Sequence, residues 1–211
     1  MFVRFHQKLS HNTRVDILIR EIGSRLIDVY PGDGAIRCLD VGCGDMRIAE
    51  GIYEKDMRTV WTCLDVHDLP AHLKDVRKWT KYQKFDGTHI PLEDTSMDVV
   101  LFCDVLHHIR EKVPDLLQEA GRVGRTIIIK DHFEYTWYSR IVLKTMDFIG
   151  NWGYGVQLPE TYFTASSFER LYHTAGLKLI RLDIGIDLYS HLPLVRRLLR
   201  PQWHFIAVLS S

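Results

Sequence analysis

The distribution of apolar and polar positions along the chain predicts strands that alternate with helices. The first helix carries Val15, Leu18, Ile22, Leu26 and Val29 at helical spacing and ends at a turn of residues 31–34. Beyond it, short apolar runs predict strands over residues 36–41, 59–66, 82–85, 98–103 and 126–130, with helices near 47–54, 71–78 and 113–121. Continuous apolar strands separated by helices are typical of a parallel sheet covered by helices on both faces.

The last third of the chain departs from this alternation. Residues 131–163 contain nine of the 23 aromatic side chains and show no clean strand pattern. The segment 166–169 is a candidate capping box for a helix that Gly176 ends, and strands follow over 177–182 and 203–209. Because no internal repeat or linker-like stretch is present, we expect one domain over residues 1–211, with the final pair of seven strands outside the parallel pattern.

The segment from Leu39 to Asp45, LDVGCGD, carries the strongest chemical signal. A buried strand runs directly into Gly42 and Gly44 and then into a helix, and glycine there lets a ligand approach the backbone more closely than a Cβ atom allows. The dinucleotide fingerprint requires a third glycine three residues after Gly44, where Arg47 stands. This departure argues against an NAD or FAD site.

The sequence DVGCG at residues 40–44 resembles the first motif of the class I S-adenosylmethionine (SAM)-dependent methyltransferases, in which an acidic residue and GxG follow the first strand. The resemblance covers residues 36–130 motif by motif and the rest in architecture, and it departs at Met46, where the commonest family form has glycine. It implies a Rossmann-like α/β fold whose seven-stranded, mostly parallel sheet has an antiparallel last strand and helices on both faces. It also implies SAM as the cofactor and S-adenosylhomocysteine as the product.

Three further carboxylates follow strands in the order that the family has. The resemblance implies that Asp65 accepts hydrogen bonds from the ribose hydroxyls, that Asp86-Gly87 holds the adenine amino group, and that Asp104 lies under the methionine end of SAM. Each carboxylate alone is more typical of a loop or helix cap, but their order at strand ends favours a SAM site. The candidate cofactor residues are Asp40, Gly42, Cys43, Gly44, Asp65, Val66, Asp86, Gly87, Asp104 and Val105.

Two histidine-containing segments, His107-His108 and Asp131-His132, follow the fourth and fifth strands at the edge where open α/β sheets bind ligands. Methyl transfer from a sulfonium needs a base only if the attacking atom starts protonated. We predict His132 as the base, oriented by Asp131, which would raise the pKa of the imidazole. His108 is the other candidate base and His107 a candidate contact to the acceptor, while packing or capping a helix is the alternative for each of the pair.

The aromatic segment 131–163 is expected above the active site, where the corresponding connection in the family helps to build the acceptor pocket. Trp137, Tyr138, Trp152 and Tyr154 are the candidate acceptor contacts, and the glycines at 153 and 155 would permit a mobile lid. The same aromatics would also suit an extra helix packed onto the core. Residues 193–200 combine leucines with arginines, as expected of a contact to an anionic membrane or a phosphate-bearing acceptor, or of an ordinary solvated helix face.

Composition narrows the function further. The 27 Lys plus Arg residues balance 27 Asp plus Glu, so no overall basic field favours a nucleic-acid partner, and no NPPY-type sequence of amino-group methyltransferases follows the fourth strand. The four cysteines form no CxxC pair, so no metal site is predicted, and the apolar runs are too short to cross a bilayer. We therefore predict a cytoplasmic enzyme that methylates a small, apolar or aromatic, hydroxyl-bearing molecule. A lipid- or glycan-linked acceptor at a membrane surface, an NAD-dependent oxidoreductase and a catalytically silent SAM-fold binding protein are the alternatives.

Overall fold

The computed structural model describes residues 2–69, 81–109, 112–150 and 159–211, with side chains from residue 12 onward. Within these ranges the helices are α1 (Phe2–Val29), α2 (Arg47–Lys55), α3 (Leu106–Ile109), α4 (Val113–Val123), α5 (Trp137–Gly150), α6 (Ala165–Thr174) and α7 (Pro193–Leu198), followed by a 3₁₀ turn at Pro201–Trp203. The strands are β1 (Ile36–Val41), β2 (Thr59–Asp65), β3 (Tyr82–Lys84), β4 (Met97–Cys103), β5 (Gly124–His132), β6 (Lys178–Ile184) and β7 (His204–Ser210). The helix predicted near 71–78 lies outside the described residues. No helix in the described ranges is long and apolar enough to span a bilayer.

The strands form one seven-stranded sheet in the order β3-β2-β1-β4-β5-β7-β6. Strands β1 to β5 run parallel to one another, whereas β7 runs antiparallel to both β5 and β6. The predicted mostly parallel sheet with an antiparallel last strand is confirmed. Because the strand order reverses between β1 and β4, their carboxyl ends form the switch point at which open α/β sheets bind ligands.

Both faces of the sheet are buried against helices. On β4, Val99 and Leu101 face the core that includes α1 and α2, whereas Val100 and Phe102 face the core that includes α4 and α6. Successive side chains of a strand point to opposite faces, so a strand that is covered on both sides is apolar throughout. This arrangement explains why the strands are continuous apolar runs in the sequence.

Two of the boundaries that differ from the sequence prediction have a clear physical cause. The fifth strand extends to His132 because Asp131 and His132 pair with Phe205 and His204 of β7, a pairing that apolar patterning cannot reveal. Helix α6 is capped by Thr164 rather than by the predicted segment 166–169. The Thr164 side chain accepts a hydrogen bond from the Ser167 backbone N–H, and the Ser167 hydroxyl interacts in return with the Thr164 backbone.

Candidate active site

In the glycine turn after β1, every second residue from 42 to 46 has a backbone conformation in the left-handed region. Gly42, Gly44 and Met46 have φ values of 76°, 53° and 63°. Glycine adopts this conformation without a steric penalty, whereas Met46 is strained there. Met46 is also 1% exposed and lies within the hydrophobic core, so its burial offsets the strain at the position where the family commonly has glycine.

The two glycines of the turn have different surroundings. A Cβ atom on Gly42 would lie 2.4 Å from a methyl group of Val105, so Gly42 is needed for packing between the turn and the segment after β4. No atom lies within 4 Å of the corresponding position on Gly44. The sequence predicts that glycine at position 42 makes room for a ligand; in the structure it makes room for Val105, with which a Cβ atom would collide. Gly44 is the position that borders open space.

Asp65, at the end of β2, ties this turn to the neighbouring strand. Its Oδ2 accepts a hydrogen bond from the Gly44 backbone N–H at 2.8 Å, and its Oδ1 accepts one from the His67 N–H at 3.0 Å. A carboxylate has about four acceptor sites, so each oxygen keeps a free lone pair for a ligand hydroxyl. The geometry is compatible with the ribose contact that the resemblance implies.

Asp40 and Cys43 form the buried inner side of the turn. Asp40 is 3% exposed, and burial, followed by the negative charges of Asp65 and Asp45, raises its pKa to about 7. The Cys43 thiol is hydrogen-bonded to Cys63, and this contact together with burial raises its pKa. A cationic group bound beside Asp40 would favour the carboxylate and lower that pKa.

The segment after β3 approaches the end of β2. Asp86 is exposed, and its Oδ1 accepts hydrogen bonds from the backbone N–H groups of Thr88 at 2.7 Å and His89 at 2.8 Å, which lower its pKa. Gly87 has φ 81°, and a Cβ atom there would lie 2.9 Å from a methyl group of Val66. The predicted residues Val66, Asp86 and Gly87 therefore lie side by side.

Asp104, after β4, is held by two cations that sequence reasoning missed. Arg14 of α1 contacts its Oδ2 at 2.6 Å, and the fully buried Lys130 of β5 contacts its Oδ1. Burial alone would raise the pKa of Asp104, but Lys130, His132 and Arg14 hold it well below its usual value. Asp104 is thus a carboxylate within an internal ion cluster at the switch point.

A second buried cluster lies at the end of β5. Asp131 is 0% exposed, and its Oδ1 accepts hydrogen bonds from His107 Nδ1 at 2.7 Å and from the His132 backbone N–H at 2.8 Å. His132 Nδ1 lies 3.5 Å from the same oxygen. Asp131 thus contacts both histidines: its carboxylate pairs with the His107 imidazole and binds the His132 backbone N–H, and it lies beside the His132 ring.

His107 is enclosed by this cluster instead of lying on an acceptor surface. It is 2% exposed, and its Nε2 lies 3.3 Å from Asp147, which accepts a hydrogen bond from the Tyr162 hydroxyl. Its predicted contact with the acceptor is corrected, because its ring nitrogens face Asp131 and Asp147. His108 is half-buried, and its ring centroid lies 4.0 Å from that of His107.

The two buried histidines next to Asp131 have opposite pKa shifts. Burial lowers the pKa of His107, but Asp131 and Asp147 outweigh it and raise the value to about 10. The pKa of His132 is lowered, first by burial and then by the Lys130 ammonium, 3.4 Å from His132 Nε2. Asp131 raises the pKa of His132, as expected, but burial and Lys130 outweigh this contribution and the net shift is downward. At neutral pH, His107 is an imidazolium and His132 is a neutral imidazole.

The cluster also has metal-ligand spacing, although the sequence predicted no metal site. Ligand atoms of His107, Asp131 and His132 lie within 4.8 Å of one another, as do those of His107, His108 and Asp147. These groups could hold a metal ion. The 2.7 Å distance between His107 Nδ1 and Asp131 Oδ1 is typical of a charge-assisted hydrogen bond, and we interpret the pair as a histidine–aspartate dyad.

An open groove of about 440 Å³ lies beside this edge and is lined by Tyr135, Thr136, Tyr138, Arg200, Gln202 and Trp203. Tyr138 packs edge-on to Trp203 with ring centroids 6.0 Å apart, and the next residue, His204, has its ring centroid 4.8 Å from that of His132. The predicted acceptor residue Tyr138 thus lines a groove, whereas Trp137 is 72% exposed outside it. Trp152 and Tyr154 lie outside the described residues.

Comparison with known proteins adds independent information. Residues 39–126 match a family described as a methyltransferase domain. The chain is 32% identical over 108 residues to ribosomal RNA-processing protein 8 of Caenorhabditis briggsae, a match that covers 51% of this chain but only 27% of that protein. The chain therefore spans about a quarter of the length of this curated relative.

Solved structures share the fold over most of the chain. A SAM-dependent methyltransferase from Aquifex aeolicus superimposes with a TM-score of 0.61 at 16% identity, covering 96% of this chain and 95% of that one. Magnesium protoporphyrin IX methyltransferase from Synechocystis PCC 6803, solved with bound S-adenosylhomocysteine, gives a TM-score of 0.62 at 14% identity over 100% and 88% of the two chains. At these identities the superpositions show the fold, and the sequence match over 39–126 shows the domain type.

Proposed function

We propose that this chain, whose residues 39–126 match a methyltransferase domain, transfers the methyl group of SAM to a hydroxyl of a small, apolar or aromatic acceptor. SAM is the cofactor and S-adenosylhomocysteine the product. We treat residues 1–211 as one catalytic domain in which 131–163 forms the acceptor region. The four free cysteines are as expected of a reducing compartment, which supports a cytoplasmic location.

The glycine turn and the strand ends fit the cofactor. Gly44 leaves its backbone open, Asp65 keeps lone pairs for two hydroxyls, and the buried Asp40 would be stabilised by a positive charge. Val66, Asp86 and Gly87 form an adjoining wall for a planar base. When bound, SAM supplies an electrophilic methyl group on a sulfonium. The remaining cofactor residues of our assignment are Gly42, Cys43, Asp104 and Val105.

One observation carries the assignment of a hydroxyl acceptor: His132, at the end of β5, is a neutral imidazole that is 5% exposed. A neutral imidazole has one unprotonated ring nitrogen, which can accept a proton from an attacking hydroxyl. Lys130 keeps the ring neutral, and the His107–Asp131 dyad fixes its backbone. The aromatic groove at Tyr138 and Trp203 suits an apolar or planar acceptor, and His204, the residue after Trp203, packs against the His132 ring.

The test is an acceptor screen with SAM labelled at the methyl group. The screen uses pairs of compounds that differ only in a hydroxyl, such as a phenol and its deoxy analogue. Comparing the two members of a pair shows whether the methyl group is transferred to that oxygen or to another atom. We expect label in the hydroxyl compounds alone, and its loss in His132→Gln protein that still binds SAM. Equal labelling of the deoxy compounds would overturn the hydroxyl assignment.

A nucleic-acid acceptor is the second candidate, and the name of the C. briggsae relative favours it. The balanced charge of the chain supplies no general attraction to RNA phosphates. Including total ribosomal RNA in the same screen separates the two candidates, since label that becomes sensitive to ribonuclease would replace the small-molecule proposal with an RNA acceptor.

A further inference from the structure

Two helices expose apolar side chains that the core does not use. On α5, Leu143 is buried in the core, whereas Trp137 and Ile141, one turn apart, are 72% and 53% exposed. On α7, Val195 packs against the core, whereas Leu194 and Leu198, again one turn apart, are 81% and 53% exposed. Each helix is therefore apolar on its inner and its outer side, which is unusual for a solvated helix.

These residues belong to one surface, which we call the α5–α7 face: Trp137, Tyr138, Ile141, Leu194, Arg197, Leu198 and Arg200. The groove joins its two halves, because Tyr138 at the start of α5 and Arg200 after α7 line the same groove. Helix α5 begins five residues after His132. The face thus borders the edge of the sheet at which methyl transfer is proposed.

The charges of this face all have one sign. Residues 135–146 and 188–200 contain Arg140, Lys144, Arg196, Arg197 and Arg200 and no Asp or Glu. Arg140 pairs with Glu134 and Arg196 with Asp187, whereas Arg197 and Arg200 have no ion pair with any residue in the described ranges. A second copy of the chain docked symmetrically would bring arginine against arginine, so self-association is disfavoured.

We propose that the α5–α7 face docks on the surface of an anionic phospholipid membrane. Leucine, isoleucine and tryptophan insert into the headgroup region, and arginines next to them bind lipid phosphates. Docking places the groove at the lipid surface, so an acceptor that partitions into the membrane would reach the site without crossing water. The binding step is separate from catalysis and stands if the hydroxyl assignment fails.

The experiment is co-sedimentation of the full chain with vesicles of phosphatidylcholine mixed with phosphatidylglycerol, and with vesicles of phosphatidylcholine alone. The double variant Leu194→Ser/Leu198→Ser tests the contribution of the apolar side chains, and Arg197→Gln/Arg200→Gln tests that of the arginines. The matched control is Met57→Ser/Arg125→Gln, because Met57 is 76% exposed and both residues lie at the amino-terminal edge of the sheet. A SAM-induced thermal shift in every variant verifies folding.

We expect binding to the mixed vesicles only, weakened by added salt. At roughly 1 kcal/mol per arginine, the basic variant should bind about 30-fold more weakly, and the apolar variant about tenfold more weakly, with the control unchanged. No binding to mixed vesicles, or equal loss in the control, would overturn the proposal. An oligomer in solution that the apolar variant dissociates would instead assign the face to a second copy.

Discussion

Replacing His132 by glutamine removes the proposed proton acceptor while keeping a polar side chain of similar length at a buried position. The side chain lies outside the glycine turn and touches the cofactor residues only at Asp104, 3.4 Å from Nδ1, so SAM affinity should change far less than the rate. Because Asp131 binds the backbone N–H of residue 132, its hydrogen bond persists in the variant. The backbone contact is therefore kept, and the contacts that change are those of the imidazole with Asp104 and Lys130.

The expected loss follows from the role of a positioned base. General base catalysis contributes about 10²- to 10⁴-fold in rate, which corresponds to about 2.7–5.4 kcal/mol of the activation barrier. His132→Gln should lower kcat by that factor. A purely structural role for the ring would lower the melting temperature and leave the rate of the folded fraction largely intact.

The assay is single-turnover methyl transfer, with the acceptor from the screen, measured as a function of pH. Since burial and Lys130 lower the pKa of His132, the acid limb of kcat/KM should lie below pH 6.5, the unperturbed histidine value. Lys130→Gln removes a positive charge 3.4 Å from His132 Nε2, which makes protonation easier. The acid limb should then move to higher pH.

His108→Gln is the matched control, because His108 follows the neighbouring strand and is the other candidate base. We expect it to stay within a few-fold of wild type. Loss of the rate in His108→Gln with full activity in His132→Gln would transfer the role to His108. A profile that is flat from about pH 5 to 8 with chemistry limiting would refute a histidine base altogether.

Three further outcomes are expected. Asp65→Asn keeps one acceptor oxygen but loses the charge, so SAM should bind about 5- to 150-fold more weakly, or 1–3 kcal/mol; an unchanged Kd by calorimetry in a folded variant would exclude the ribose contact. Gly44→Ala meets no protein atom within 4 Å, so stability should fall only by the backbone strain of about 1–2 kcal/mol while the SAM-induced thermal shift disappears; a full shift would show that no ligand approaches there. His107 has a pKa of about 10, above the unfolded value of about 6.5, so its stabilising contribution is complete below pH 6.5 and is lost as the pH rises towards 10. Urea unfolding of His107→Gln should lack this alkaline decline, and an identical decline in the variant would contradict the assignment.

The sheet could be predicted because its strands are buried on both faces. Apolar runs such as Ile36–Val41 are unambiguous when each neighbouring segment is helical and polar. The ends of the strands were less predictable. The bounds of β5 depend on its pairing with β7, and the paired residues His132 and His204 are 72 positions apart in the chain. Capping at Thr164 was missed because Ser166 and Ser167 offer the same chemistry two or three positions later.

The site residues likewise fall into those that local sequence order predicts and those that only the tertiary structure shows. The positions of the glycine turn and Asp65 follow from local order along the chain, because each comes directly after a strand. The pairing of Asp131 with His107, and the contacts of Arg14 and Lys130 with Asp104, join residues from different elements. Lys130 looks like a strand end in the sequence, and only the tertiary structure shows a fully buried ammonium that sets the charge of His132.

Strand β7 lies between β5 and β6, although it follows both in the chain. During synthesis, β6 has no partner in the sheet until residues 204–210 leave the ribosome, and until then the outer edge of β5 is also open. Unpaired strand edges with apolar side chains, such as Ile180 at 64% exposure even in the folded state, favour association with other chains. Successful production of this enzyme will therefore depend on how nascent chains are protected over that interval, and chaperone supply should raise the yield of folded protein.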